Sequence, residues 1–147
     1  MKKVVMANDQ GAVELALKIK KHLEEKGYEV NYLGIDKVVS IDYPDQAEKA
    51  CKEFNKGGYE FGIVCCGTGI GISIAANKIK GIRCALVQDC MTATLAKEHN
   101  DANFLAFGGR VTYKEDVLDI LDAYLDAQFL EGRHQRRVNK IMNLETK

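Results

Sequence analysis

The run Phe61-Gly-Ile-Val-Cys-Cys-Gly-Thr-Gly-Ile-Gly-Ile-Ser-Ile-Ala-Ala76 constrains this chain more than any other stretch. Phe61 to Cys66 is a short apolar run of the length a buried strand needs. Gly67, Gly69 and Gly71 break it, and from Ile70 an Ile/Ala-rich helical pattern continues to about Lys80. Glycines at alternate positions let the backbone turn sharply and let a ligand approach without a Cβ in the way. The helix start that follows points unpaired N–H groups outward, which favours an anionic or developing oxyanionic group. Cys66 and Thr68 stand where their side chains could face that space. The stretch reads as the active-site loop of an α/β enzyme.

The same alternation extends in both directions. Val4–Ala7 is a strand, Asn8–Gly11 a turn, and Ala12–Lys26 a helix with Leu15, Ile19 and Leu23 on one face. Tyr28–Leu33 is a second strand and Gly34–Pro44 a longer loop. Asp45 is placed to cap a helix running to Lys56, with Glu48 completing a capping box. Further on come a strand at Arg83–Val87, a helix at Asp89–His99, a strand at Phe104–Phe107, a helix at Glu115–Phe129 and a helical tail over 132–147. Five short strands alternating with helices predict a doubly wound α/β domain, a parallel sheet covered on both faces. At 147 residues this is one domain, 1–147. Ligands in such folds bind beyond the carboxyl ends of the strands. Here those ends are Asn8-Asp9, Cys65-Cys66-Gly67-Thr68, Gln88-Asp89 and Gly108-Gly109-Arg110.

Composition excludes several classes. Lys plus Arg and Asp plus Glu are 21 each, so no global field favours nucleic acid. The five cysteines are an odd number without secreted spacing, which predicts reduced thiols and a cytoplasmic protein. No apolar run approaches the length of a membrane span. The glycines lack the G-x-G-x-x-G spacing, no G-K-[ST] follows them, and no ligand spacing suggests a metal. No cofactor is expected. What remains is acid/base chemistry on a phosphorylated small molecule.

Each polar candidate has a plainer alternative. Cys66 is either a small buried apolar residue or a thiolate facing the amides of a helix start; Cys65 alternates to the other face and reads as core. Asp9 caps the first helix or serves the site. His99, with Asn100-Asp-Ala-Asn103 after it, is either turn chemistry or a proton-transfer group. His22, among Lys20, Lys21 and Glu24, reads as exposed surface. Arg133 and Arg137 are four apart on one helical face, next to His134. They suit a phosphate, or else form a solvated tail or a subunit contact.

Taken in order, several motifs resemble the ribose-5-phosphate isomerase B family, which includes the subunits of galactose-6-phosphate isomerase. They are Asp9, Asp42-Tyr-Pro44, the run Cys66-Gly-Thr-Gly-Ile-Gly-Ile-Ser-Ile-Ala-Ala-Asn-Lys78, Gly81-Ile-Arg83, Glu98-His-Asn-Asp-Ala-Asn103, Gly108-Gly-Arg-Val111 and Gly132-Arg-His-Gln-Arg-Arg-Val138. The resemblance implies a Rossmann-like three-layer α/β/α sandwich with a five-stranded parallel sheet. It also implies a metal-free homodimer or homotetramer with active sites at a subunit interface.

By the same resemblance Cys66 is the base that moves a proton between C1 and C2 of a sugar phosphate. Thr68 and the amides of Gly67, Gly69 and Gly71 hold the enediolate oxygen. His99, with Asp9, opens the furanose ring, while Asn100 and Tyr43 meet the sugar. Arg133, Arg137, His134 and Arg110 hold the phosphate. The default substrate pair is ribose 5-phosphate and ribulose 5-phosphate. Alternatives are a six-carbon or four-carbon sugar phosphate, or a non-catalytic sugar-phosphate-binding subunit of a hetero-oligomer. One motif departs: the family's Asp-His-x-Gly is here Asp9-Gln10-Gly11-Ala12, so Gln10 replaces a histidine on the phosphate or ring-handling side and the glycine is shifted by one place.

Overall fold

A computed structural model describes all 147 residues, Met1–Lys147. Strands β1 (Lys3–Asn8), β2 (Glu29–Tyr32), β3 (Phe61–Cys66), β4 (Cys84–Leu86) and β5 (Phe104–Gly108) alternate with helices. These helices are α1 (Val13–Glu25), α2 (Tyr43–Asn55), α3 (Ile70–Ala76), α4 (Cys90–Glu98), α5 (Val117–Asp126) and α6 (Arg133–Asn143). All strand pairs are parallel, in the order β2-β1-β3-β5-β4. The Rossmann-like three-layer sandwich is therefore present.

Side-chain alternation explains the layers. On β3, Phe61, Ile63 and Cys65 face a core built with Ala16, Ile19 and Leu23 of α1, Ala93 of α4 and Ile120 and Leu121 of α5. Val64 and Cys66 face the opposite core with Ala47 and Ala50 of α2 and Ile72 and Ala76 of α3. A strand buried on both faces has no polar alternation to show, which is why β3 reads as a continuous apolar run. After β1 the chain turns outward to β2 and then returns on the other side of β1 to make β3. The crevice between the carboxyl ends of β1 and β3 is thus a topological switch point.

Three helix boundaries differ from the expected ones. α2 starts at Tyr43, not beyond Asp45: Asp42 stands at its N-cap, Pro44 occupies its first turn, and the Asp45 N–H already bonds the Asp42 carbonyl. Proline presets the helical φ and needs no N–H there, so the start moves three residues earlier. A capping box does form, but at α4, where the Thr92 N–H donates to Asp89 Oδ1 at 2.7 Å. α3 stops at Ala76, because the next residue is drawn to β4. Asn77 Nδ2 donates to the Cys84 carbonyl and Asn77 Oδ1 accepts the Cys84 N–H, at 2.9 and 2.8 Å. α5 spans Val117–Asp126, capped by Asp116 and ended by extended backbone at Ala127.

Candidate active site

Three turns meet at the carboxyl end of the sheet. Gly11 follows β1, Gly67 follows β3 and Gly109 follows β5. A Cβ on Gly11 would lie 2.7 Å from the Gly67 nitrogen and 2.8 Å from its Cα, and one on Gly109 would run into the Gly11 carbonyl. Backbone therefore packs on backbone, leaving the neighbouring side chains as the walls. The Gly109 N–H donates to the Cys66 carbonyl and the Arg110 N–H to the Gly67 carbonyl, both at 2.9 Å. These bonds bring the Arg110 guanidinium against Gly67, where a Cβ would lie 3.2 Å from Nη1.

Cys66, 5% exposed, closes β3. Gly69 turns with φ 80°, a conformation glycine adopts without strain, and its N–H donates to Cys66 Sγ at 3.2 Å. That N–H would stabilise negative charge on the sulfur. Cys65 faces the other core, where burial above all, then the Cys66 charge, pushes its thiol up. Thr68 is exposed, and its Oγ1 accepts the Ile70 N–H at 3.1 Å. Asp9 is buried; its Oδ1 accepts the Gly11 N–H at 2.8 Å, and its second oxygen has no partner in the chain. It caps the turn with one oxygen and leaves the other without a partner. Gln10 Oε1 accepts the Ile41 N–H. The Tyr43 ring rests on α3, with Cε1 2.6 Å from where a Gly71 Cβ would be. Asp9, Gln10, Tyr43, Cys66, Gly67, Thr68, Gly69, Gly71 and Arg110 thus gather around one crevice.

His99, Asn100, Arg133, His134 and Arg137 gather elsewhere. β4 delivers the chain to the carboxyl edge, α4 returns it, and His99–Asn103 lead into the start of β5. Phe104 pairs with Gly62 and Gly108 with Cys66. Four residues of strand, roughly 13 Å, separate those two levels, and His99 lies beyond the near one. There the His99 and His134 rings stack, with centroids 4.2 Å apart and planes 8° from parallel. Burial, then the charges of His99, Arg133 and Arg137, hold His134 below the usual imidazole value. Arg133, Arg137 and Arg110 have no carboxylate partner. One chain thus carries a cysteine cluster and a histidine–arginine cluster at opposite ends of its sheet.

Sequence reasoning gave Arg83 no role. Its guanidinium donates to the Asn100 carbonyl at 3.1 Å and the Asp101 carbonyl at 2.8 Å, shaping the loop that carries His99 and Asn100. The signals were an arginine opening a strand and its place in the motif Gly81-Ile-Arg83. A cavity of about 570 Å³ lies beside this second cluster, lined by Asn77, Ile82, Cys84, Asn100, Ile141 and Leu144 among others. No three His, Cys, Asp or Glu side chains converge as a metal site would require.

Comparison with known proteins agrees with this fold. Residues 4–141 match the family model for ribose/galactose isomerase. Ribose-5-phosphate isomerase B of Escherichia coli is 43% identical over 145 residues, covering 99% of this chain and 97% of that protein. The structure of ribose-5-phosphate isomerase B from Clostridium thermocellum superposes with a TM-score of 0.94 at 44% identity, covering 98% and 97% of the two chains. That of the Mycoplasma genitalium enzyme with bound ribulose 5-phosphate gives 0.91 at 37% identity, covering 99% and 97%.

Proposed function

The chain belongs to the ribose/galactose isomerase family and is a sugar-phosphate isomerase, and from that premise we propose that it interconverts D-ribose 5-phosphate and D-ribulose 5-phosphate through an enediolate, with Cys66 as the base. The observation that carries this reading is the Gly69 N–H on the Cys66 sulfur at the switch-point crevice. In the open-chain aldose the thiolate takes the C2 proton, and the electrons of that bond form the C1–C2 double bond as the carbonyl electrons move to O1. The thiol then returns its proton to C1 while the O2 hydroxyl passes its proton to the O1 oxyanion, so that C2=O2 forms and the ketose is left with a C1 hydroxyl. The amides of Gly67 to Gly71 and the Thr68 hydroxyl are the donors nearest the developing oxyanion. One such donor in place is worth about 3 kcal/mol in the transition state. The named relatives of similar sequence support ribose over longer sugars.

Ring opening by His99 and phosphate binding by Arg133, Arg137 and His134 require a second copy, since these groups lie at the other end of the sheet. Two features support a two-fold homodimer. The two half-sites are chemically complementary: one holds the Cys66 sulfur and a single cation, Arg110, and the other holds Arg133, Arg137 and two stacked histidines. An apolar strip also joins them: Ile70 and Ile74 of α3 are 51% and 57% exposed, and one turn on, Asn77 borders the cavity with Ile141 and Leu144. Two strips laid antiparallel bring each cysteine half-site to the partner's histidine–arginine half-site, as a two-fold axis demands.

The test is turnover by the purified protein on four-, five- and six-carbon aldose phosphates, with ketose formation followed directly. We expect the highest kcat/KM with ribose 5-phosphate and a loss of at least about 10³-fold in kcat for Cys66→Ala, with phosphate-dependent binding retained. Equal turnover in Cys66→Ala removes the cysteine from the mechanism, and binding without turnover by the native chain marks a non-catalytic subunit.

A further inference from the structure

Between Tyr32 and Tyr43 the chain runs ten residues without helix or strand. Its first part is pinned to the sheet. The Leu33 N–H donates to the Met6 carbonyl at 2.8 Å, and the Ile35 carbonyl accepts from Tyr32 Oη at 2.9 Å and Asn8 Nδ2 at 3.2 Å. From Asp36 to Ile41, before the Asp42 carbonyl joins the first turn of α2, one hydrogen bond reaches the body of the protein, from the Ile41 N–H to Gln10 Oε1 at 3.1 Å. The Val39 N–H bonds only to Lys37, within the segment, and Val38 is 79% exposed. The segment ends at Tyr43, whose ring lies against Gly71 at the start of α3. Gln10 itself is half-buried in the turn that follows Asp9.

We propose that Gln10 is a positioning residue, a latch that fastens the segment 36–42 to the end of β1 and so sets the wall of the cysteine half-site through Tyr43. The inference rests on the isomerase reading for its kinetic consequence, but not for the latch itself. Because Ile41 presents a donor, the amide atom facing it is the oxygen, and Gln10 Nε2 has no partner in the chain. A glutamine carbonyl accepts at every pH. An imidazole in the same place would accept only while neutral, and would release the segment on protonation. A carbonyl acceptor at this position therefore holds the segment independently of pH.

Two variants separate acceptor from packing: Gln10→Met keeps length without an acceptor, and Gln10→Glu keeps an acceptor without the amide donor. Amide exchange of the free protein, read at Ile41, should quicken about tenfold in Gln10→Met and stay near the native rate in Gln10→Glu. In the same Gln10→Met protein, KM for the preferred sugar phosphate should rise about fivefold with kcat within twofold. Unchanged exchange at Ile41 in Gln10→Met overturns the latch, and so does equal loss of protection in both variants. An unchanged KM beside quickened exchange overturns the role in setting the site wall. A protein inactive on every sugar phosphate, yet showing the exchange pattern, overturns the isomerase reading and leaves the latch standing.

Discussion

Cys65 and Cys66 are adjacent, and the pleat of β3 sends them to different cores. Cys65 is wholly enclosed, and burial likewise pushes the thiols of Cys51, to about 12, and Cys84 up. Only Cys66 meets a turn amide through its sulfur, at the strand's end. His22 shows the opposite outcome from the one its neighbours suggest. It is not free surface: Nε2 lies 2.7 Å from Asp122 Oδ1, which also receives Lys26 Nζ at 3.1 Å, so the pair ties α1 to α5. Burial pushes the Asp122 carboxyl up, but the bonds and charges of His22 and Lys26 outweigh it and leave the group below its ordinary value. A depressed carboxyl contributes stability that is complete above its unfolded pKa of about 4 and lost as pH falls through the lower folded value. Asp122→Asn should therefore cost about 1 kcal/mol at neutral pH, with the difference from the native protein narrowing below about pH 4. Urea denaturation across that range checks it, and a pH-independent difference would deny the ion pair its part.

At the scale of elements, the turns matter more than the helices they join. β3 and its glycine turn were legible because an unbroken apolar run followed by alternating glycines admits few other structures. The start of α2 was not, because the Asp45–Glu48 pattern is a weaker signal than the fixed φ of Pro44. The contact between the β1 and β3 turns leaves no mark in either segment alone, since it depends on two backbones meeting across a sheet. Gly11→Ala places a Cβ against the Gly67 nitrogen and Cα, which are backbone and cannot rotate aside. It should cost about 1–3 kcal/mol in stability by denaturant unfolding and lower kcat/KM by at least about tenfold. Native-like stability in that variant would show that the turns can separate freely.

For the whole molecule, the proposed division of the site between two copies has a direct consequence. Cys66→Ala removes the proposed base from one half-site, and the double variant Arg133→Ala/Arg137→Ala removes the proposed phosphate grip from the other. Each alone should be nearly inactive. Mixed and allowed to exchange subunits, they should recover about a quarter of native activity, since half the dimers are mixed and each mixed dimer holds one intact pairing. Failure to recover activity once subunit exchange is demonstrated would refute the shared site.

The sequence by itself determined the alternation of five strands with helices, the glycine turn after β3 and the chemical kinds of residue available. All of these are set by neighbours a few positions apart, through periodicity, turn chemistry and side-chain type. Only the tertiary structure decided that Asp9, Gln10, Tyr43, Cys66 and Arg110 meet at one crevice while His99, Asn100 and Arg137 stand at the far end. Strand order and the return path of α4 fix those positions, and both depend on long-range packing that no local pattern encodes.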